Sequence, residues 1–336
     1  MPQPHLISLA AATTVLLLAA AAAPAVAQDV PASPAAPTPS LSGTVTVYTS
    51  VTQDTVDAVL SALAVSHPQL KVEVFRAPTG ELDARLASEQ RTGGIGADVL
   101  WMTDPLSLQR YEAEGLLAPL AGDAFEAVPP EHRGETFVGT RLLNLVIVAG
   151  DDLASVPATW ADLTDAAYAG RVAIPDPGFA GSAFGALGYF GTSPDYGMDF
   201  YQALKDNGAV QVQSPVDVLT GVAEGNYDAG ITLDKIARDA IEDGSPVTLV
   251  WPADGAIAVS SPAAVVAASD DLAAAQAFQA FLVSTEGQAA IAGTGWQPVR
   301  ADVAWPATGD AVVPDWSEVF GEQAALLEDY YAIFGD

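Results

Sequence analysis

Six places in the chain put a small hydroxyl residue or a glycine where a strand gives way to a helix. They are Tyr48-Thr49-Ser50, Thr79-Gly80, Thr103-Asp104, Gly181-Ser182, Ser214 and Thr232. At such a junction the first helical N–H groups lack partners and the positive end of the helix dipole points outward. The chemistry on offer is capture of a small anion or zwitterion without a single lysine. For any one loop the plainer reading is a Ser or Thr that caps its own helix. Recurrence in both halves of the chain favours binding. Arg76 or Lys235 could neutralise an anion, and Asp104, Asp176 and Asp234 could hold an amine or a cation. Asp104 before Pro105 and Asp176 before Pro177 are equally ordinary turn and cap residues. Tyr48 and Phe179 lie on loops and can stack on a ligand, whereas Trp101 belongs to a buried strand. Tyr330-Tyr331 has the look of a metal-binding phenolate pair, but on a C-terminal helix it reads as packing.

Catalytic constellations are absent from the sequence. A Ser-His-Asp or Cys-His arrangement needs a histidine near the nucleophile. The three histidines are His5 in the leader, His67 at a helix end, and His132 in an acidic loop. No Gly-x-Ser-x-Gly elbow, H-E-x-x-H, P-loop or strand-following G-x-G-x-x-G occurs. The chain therefore reads as a binding protein that needs no cofactor and holds no resident metal, not as an enzyme.

The elements that must position these loops are α/β units. In residues 43–75, GTVTVYTSVTQDTVDAVLSALAVSHPQLKVEVF, Thr44 to Tyr48 alternates as a β-branched strand should. Val56, Val59, Leu60 and Leu63 then form the apolar stripe of a helix lying on a sheet, and Lys71 to Phe75 resumes a strand. Strands joined this way are parallel, and ligands gather at their carboxyl ends. The device recurs: strands are expected at 98–102, 171–174, 210–213, 228–231 and 247–251, each near a turn or a helix. The apolar run FVGTRLLNLVIVA, Phe137 to Ala149, fits a strand leaving a first lobe for a second, and Ala256 to Ala267 could return. Trp316 to Phe334 is an amphipathic helix.

The 336 residues are enough for a large core, and the formal charge is −30 from 12 basic and 42 acidic residues. Such a surface argues against nucleic acid and anionic lipid as partners. There is no cysteine, hence no disulfide and no lipidated N-terminal thiol. Residues 6–23 are an apolar run, and Ala25 and Ala27 fit an A-x-A cleavage site before Gln28. Residues 1–27 read as an export signal, with an uncleaved membrane anchor as the alternative. Residues 28–42 read as a Pro/Ala/Ser linker. The body is thus expected in the periplasm or outside the cell.

Five stretches carry a family resemblance: VTVYTSVTQDTVDAVLSAL, GADVLWMTDPLSLQRYEAEGLLAPL, PATWADLTDAAYAGRVAIPDPGFAGSAFGALG, VAEGNYDAGITLD and AAAQAFQAFLVSTEGQAAIAGTGWQPVRADV. Together they cover about Gly43 to Val303. They resemble the solute-binding proteins of ABC importers, in the branch that takes ferric iron, 2-aminoethylphosphonate, thiamine and polyamines. The resemblance implies a two-lobed type 2 periplasmic-binding-protein fold with the ligand cleft between the lobes. Residues 43–142 and 256–336 would form one lobe and 143–255 the other. It further implies a monomer serving a membrane permease. Ferric-iron binders of this kind carry a Tyr-Tyr pair after the strand matching Asp228 to Ile231, where this chain has Thr232-Leu233-Asp234-Lys235. The expected ligand is therefore a small oxyanion-bearing organic solute, a phosphonate or a phosphate ester. Ferric iron, or an enzyme or sensor on the same fold, remain the alternatives.

Overall fold

A computed structural model describes residues 42–306 and 308–335, so the leader and all but the last residue of the linker lie outside the described residues. The chain opens as the periodicity requires. β1 (Ser42–Thr49), α1 (Gln53–Ser66) and β2 (Gln69–Arg76) form the first unit, with Val56, Val59 and Leu63 of α1 buried. There follow α2 (Thr79–Thr92), β3 (Val99–Trp101) and α3 (Pro105–Ala113). β4 (Phe137–Gly150) is buried along its whole length. After β4, residues 157–169 make two short 3-10 turns, Ala161–Thr164 and Ala166–Tyr168.

Next come β5 (Val172–Pro175), α4 (Gly181–Thr192), α5 (Gly197–Asp206), β6 (Val210–Val212) and α6 (Pro215–Ala223). β7 (Ala229–Leu233), α7 (Asp234–Glu242), β8 (Val247–Val250) and the fully buried β9 (Ala256–Val265) complete the middle of the chain. α8 (Leu272–Leu282), α9 (Thr285–Gly293), two-residue strands β10 (Gln297–Pro298) and β11 (Ala311–Val312), and α10 (Trp316–Phe334) end it.

The main strand order is β2-β1-β3-β9-β4-β7-β5-β6. β1, β2 and β3 are mutually parallel; β9 is antiparallel to β3 and to β4; β7 is antiparallel to β4 and parallel to β5, which is parallel to β6. β1 to β4 therefore run one way, and β5, β6, β7 and β9 the other. The carboxyl ends of β1–β3 thus face those of β5–β7. Register shows what lies between them. Trp101 ends β3 level with Ala263, which pairs with Val138, while Leu233 ends β7 opposite Leu145. The segment between Val138 and Leu145 crosses the gap, and it contains the register shift between Gly139 and Arg141. Arg141 and Leu143, two residues apart, share one face of it.

α10 braces this arrangement. It packs on α4 and α5 as well as on α3. Gly188 and Gly191 of α4 leave room for Val319 and Leu326, whose side-chain atoms fill the space a Cβ would need, and Gly185 does the same for Val259 of β9 beside Trp316. Tyr330 is fully buried there, its hydroxyl donating to Gln211 Oε1 at 3.0 Å, so the packing role expected of it is the one it has.

Candidate functional site

Where the two sets of strand ends face each other there is a cavity of about 280 Å³. One wall is a chain of hydroxyls. Ser50 Oγ, just past β1, donates to Thr103 Oγ1 at 3.1 Å, and Thr103 Oγ1 lies 3.0 Å from Thr79 Oγ1 on the first turn of α2. Gly181, Ser182 and Phe179 face them from the start of α4, and Ser214 from the start of α6. These seven are the sequence-selected residues that the fold brings together. Gly181 shows how close the approach is. A Cβ there would lie 2.6 Å from Thr103 Oγ1 and 2.8 Å from both Thr79 Oγ1 and Asp104 Oδ2.

The helix ends differ in a way that bears on chemistry. α3, α8, α9 and α10 each carry a side-chain cap on a first-turn N–H, from Asp104, Asp271, Ser284 and Asp315. Five helices start on the cavity: α6 is capped by Ser214, α7 carries the acidic Asp234 in its first turn, and α1, α2 and α4 have no side-chain cap. Their first N–H groups and the positive ends of their dipoles are left for whatever enters.

Two arginines line the same space, Arg76 and Arg141. Arg76 donates from Nε to Val51 O at 2.7 Å, which fixes it at the end of β2. Arg141 is 1% exposed. It forms no ion pair, its Nε has no hydrogen-bond partner, and Nη1 reaches Thr55 Oγ1 only at 3.4 Å. Its guanidinium lies over the Trp296 ring, 4.4 Å from the centroid. Burial pushes its pKa down to about 9; Asp54 opposes that shift and Arg76 adds to it. A charge held this way costs several kcal/mol unless an anion meets it. Neither Arg141 nor Trp296 was singled out from the sequence. The available signal was one arginine inside a thirteen-residue run with no other charge, since a buried arginine must find a partner.

The remaining candidates sit elsewhere. Tyr48 packs on the outer side of β1, its hydroxyl donating to Glu89 Oε1 at 3.0 Å and accepting from Arg85 Nη2 at 2.7 Å. Thr49 is fully buried and ties β1 to β3 by donating to Trp101 O at 2.7 Å. Thr232, also fully buried, donates to Pro215 O at 2.7 Å and so secures the start of α6. Gly80 does not line the cavity; it lets α2 approach the carbonyl of Gly178. Asp104 is fully buried behind Thr103, with Oδ1 accepting from Ser107 N at 2.8 Å. Burial, then the nearby Asp83, push its pKa up to about 7. Asp234 pairs with Arg238 at 3.0 Å, Lys235 with Asp239 and, at 3.7 Å, Asp54; Asp176 accepts from Gly178 N at 2.8 Å. Each of these polar groups serves the protein's own turns, caps and ion pairs.

Comparison with known proteins agrees with this architecture. Residues 44–297 match the family described as bacterial extracellular solute-binding protein, and the chain belongs to that family. It is a substrate-binding protein of the ABC-importer type, a transport component and not an enzyme, with the type 2 periplasmic-binding-protein fold. Such proteins bind small ligands and deliver them to an ABC permease. A periplasmic protein of Salmonella paratyphi A, provisionally named for binding 2-aminoethylphosphonate, is 28% identical over 239 residues, 67% of this chain and 68% of its own. Iron-bound HitA from Pseudomonas aeruginosa superposes with a TM-score of 0.75 at 24% identity, covering 85% of this chain and 99% of its own. AfuA from Actinobacillus pleuropneumoniae, solved with fructose-6-phosphate, gives 0.78 at 19%, covering 87% and 98%. The family places the chain outside the cytoplasm. No helix among the described residues is long and apolar enough to cross a membrane.

Proposed function

We propose that this chain captures a small organic solute by its phosphonate or phosphate-ester group and presents it, as a monomer, to an ABC permease. The observation that carries the reading is Arg141, a fully buried cation without an internal counter-ion, in the wall of a cavity onto which three uncapped helix N-termini open. A tetrahedral oxyanion suits that site. It offers several acceptor oxygens to a guanidinium fork and to converging N–H groups. The name of the Salmonella relative and the sugar phosphate bound to AfuA are in keeping with it.

A ferric ion would need hard anionic donors. The cavity wall contains no Asp, Glu, His or Tyr, and the described residues hold no group of three or more His, Cys, Asp or Glu suited to a metal. The division into lobes at 43–142 with 256–336 and at 143–255 belongs to the same reading, with the solute closing the gap between them.

The test is a thermal-shift screen of the purified protein against alkylphosphonates, sugar phosphates, ferric iron, thiamine and polyamines. A solute at a hundred times its Kd stabilises the native state by about 2.7 kcal/mol. A shift with phosphonates or phosphate esters is expected. A shift with iron alone would overturn the reading.

A further inference from the structure

We infer, resting on that reading, that the solute's body is uncharged and largely apolar, and that the site rejects aminoalkylphosphonates. Away from the hydroxyl chain the cavity wall keeps the hydroxyls of Thr52, Ser182 and Ser214 but is largely apolar, with Leu143, Phe179, Val216, Leu233, Ile236 and Trp296 its larger side chains. It contains two arginines and no carboxylate. Of the carboxylates nearest in sequence to its lining residues, Asp217 beside Val216 accepts from Ser214 Oγ at 2.7 Å on the exposed side of α6, and three others are committed. Asp54 faces Lys235, Asp234 is paired with Arg238 at 3.0 Å, and Asp104 caps α3.

An ammonium on the solute would therefore lose its water and find hydroxyl oxygens but no carboxylate in the wall, with Arg76, Arg141 and, beyond the wall, Lys235 as the nearby cations. Burying a cation without a partner is strongly unfavourable, and like charges at short range add to it. Aromatic faces can substitute for a carboxylate. Here, however, the Trp296 ring already carries Arg141 at 4.4 Å, with the Lys235 ammonium 5.9 Å from its centroid. An alkyl or aryl body, by contrast, exchanges water for Leu143, Leu233 and Ile236, which is favourable in proportion to the area covered. The 2-aminoethylphosphonate in the name of the Salmonella relative is thus the wrong kind of phosphonate for this cavity.

Propylphosphonate and 2-aminoethylphosphonate share a four-atom heavy skeleton and differ by a methyl group in place of an ammonium. Calorimetric titration of the whole protein with each, at one pH and salt concentration, isolates that difference. Propylphosphonate is expected to bind about 100-fold more tightly, as for other unpaired buried charges. Phenylphosphonate should bind at least as well as propylphosphonate. In Val216→Asp, a change at a half-exposed wall position in the first turn of α6, the preference should narrow or reverse. Equal or tighter binding of 2-aminoethylphosphonate by the wild type would overturn the inference and leave the phosphonate reading standing. Binding of no phosphonate and no phosphate ester would overturn both.

Discussion

Arg141→Met should make the unliganded protein more stable while destroying its affinity. Burial moves the guanidinium down from its ordinary value to about 9. At ~1.36 kcal/mol per pH unit, holding it charged at neutral pH costs up to roughly 5 kcal/mol. Methionine has a similar reach and fills the slot beside Trp296 without charge. The lost cation–ring contact takes back about 1–2 kcal/mol. A net gain of about 1–3 kcal/mol is expected, and at about 2–4 °C per kcal/mol the melting temperature should rise by at least ~2 °C. The sign with pH follows from the lowered value. Below about 9 the native state carries the full cost of the charge, and from about 9 up to the ordinary arginine value the native side chain releases a proton that the unfolded chain keeps. Stability therefore rises with pH across that window, and wild type and variant converge there. Removing one partner of a buried charge pair costs about 2–5 kcal/mol, so the phosphonate affinity should fall by at least ~30-fold. Melting scans at pH 7.5 and 9.5, with titrations on the same samples, provide the readout. A variant that melts several degrees lower and still binds would show that Arg141 is structural and that the site lies elsewhere.

Three further outcomes follow from the same geometry. Gly181→Ala puts a methyl group within 2.8 Å of Thr79, Thr103 and Asp104, so it should lower solute affinity by about 10- to 100-fold with little change in unliganded melting; unchanged affinity would mean that the two loops need not meet. Asp104→Asn should stabilise the protein by about 2–4 kcal/mol at pH 8, because asparagine caps a helix as well as aspartate and carries no buried charge. The carboxyl titrates near pH 7 in the native state and at 3.8 in the reference, so the native state loses stability as pH rises through that interval. The advantage of Asp104→Asn, measured by urea unfolding, should shrink towards pH 4, and a variant weaker than wild type at pH 8 would refute it. Affinity for a phosphate ester should fall about tenfold per pH unit above pH 9 as free Arg141 loses its proton, and a profile flat to pH 11 would count against Arg141 as the anion's partner.

The strand–helix units were legible because their periodicity is local. Val56, Val59 and Leu63 announce α1 as plainly as they bury it. The hydroxyl chain of Ser50, Thr79 and Thr103 was legible for a related reason, since strand ends next to helix starts are positions that any α/β sheet brings to one edge. What the sequence could not separate was inward from outward at those ends. Tyr48 and Ser50 are two residues apart, yet Tyr48 packs behind the sheet on Arg85 while Ser50 faces the cavity, because Ser50 lies past the end of β1. Thr49 and Thr232 have the chemistry of site residues, but their hydroxyls are taken by the carbonyls of Trp101 and Pro215. Arg141 and Trp296 were hidden for the opposite reason. They come from strand β4 and from the turn before β10, far apart in sequence, and only the pairing of Arg141 with Ser261 and of Leu142 with Gln297 brings them together.

On the proposed reading, a chain of charge −30 binds an anion, and whether it can is a matter of range. At physiological salt the Debye length is about 8 Å, so carboxylates across the surface are screened from a solute already inside the cavity. Within it the medium is less polar and unscreened, and the near groups decide: two arginines, three uncapped helix N-termini and a hydroxyl chain. The ion pairs around the site keep the acidic surface out of it. Lys235 engages Asp54 and Asp239, and Arg238 engages Asp234, so two cations offset part of the negative charge flanking the wall. Arg141 and Arg76, which line the cavity, have no such partner among the described residues, and of the two only Arg141 is buried. The acidic surface sets how the protein behaves in solution, and the one buried cation left uncompensated sets what it can hold.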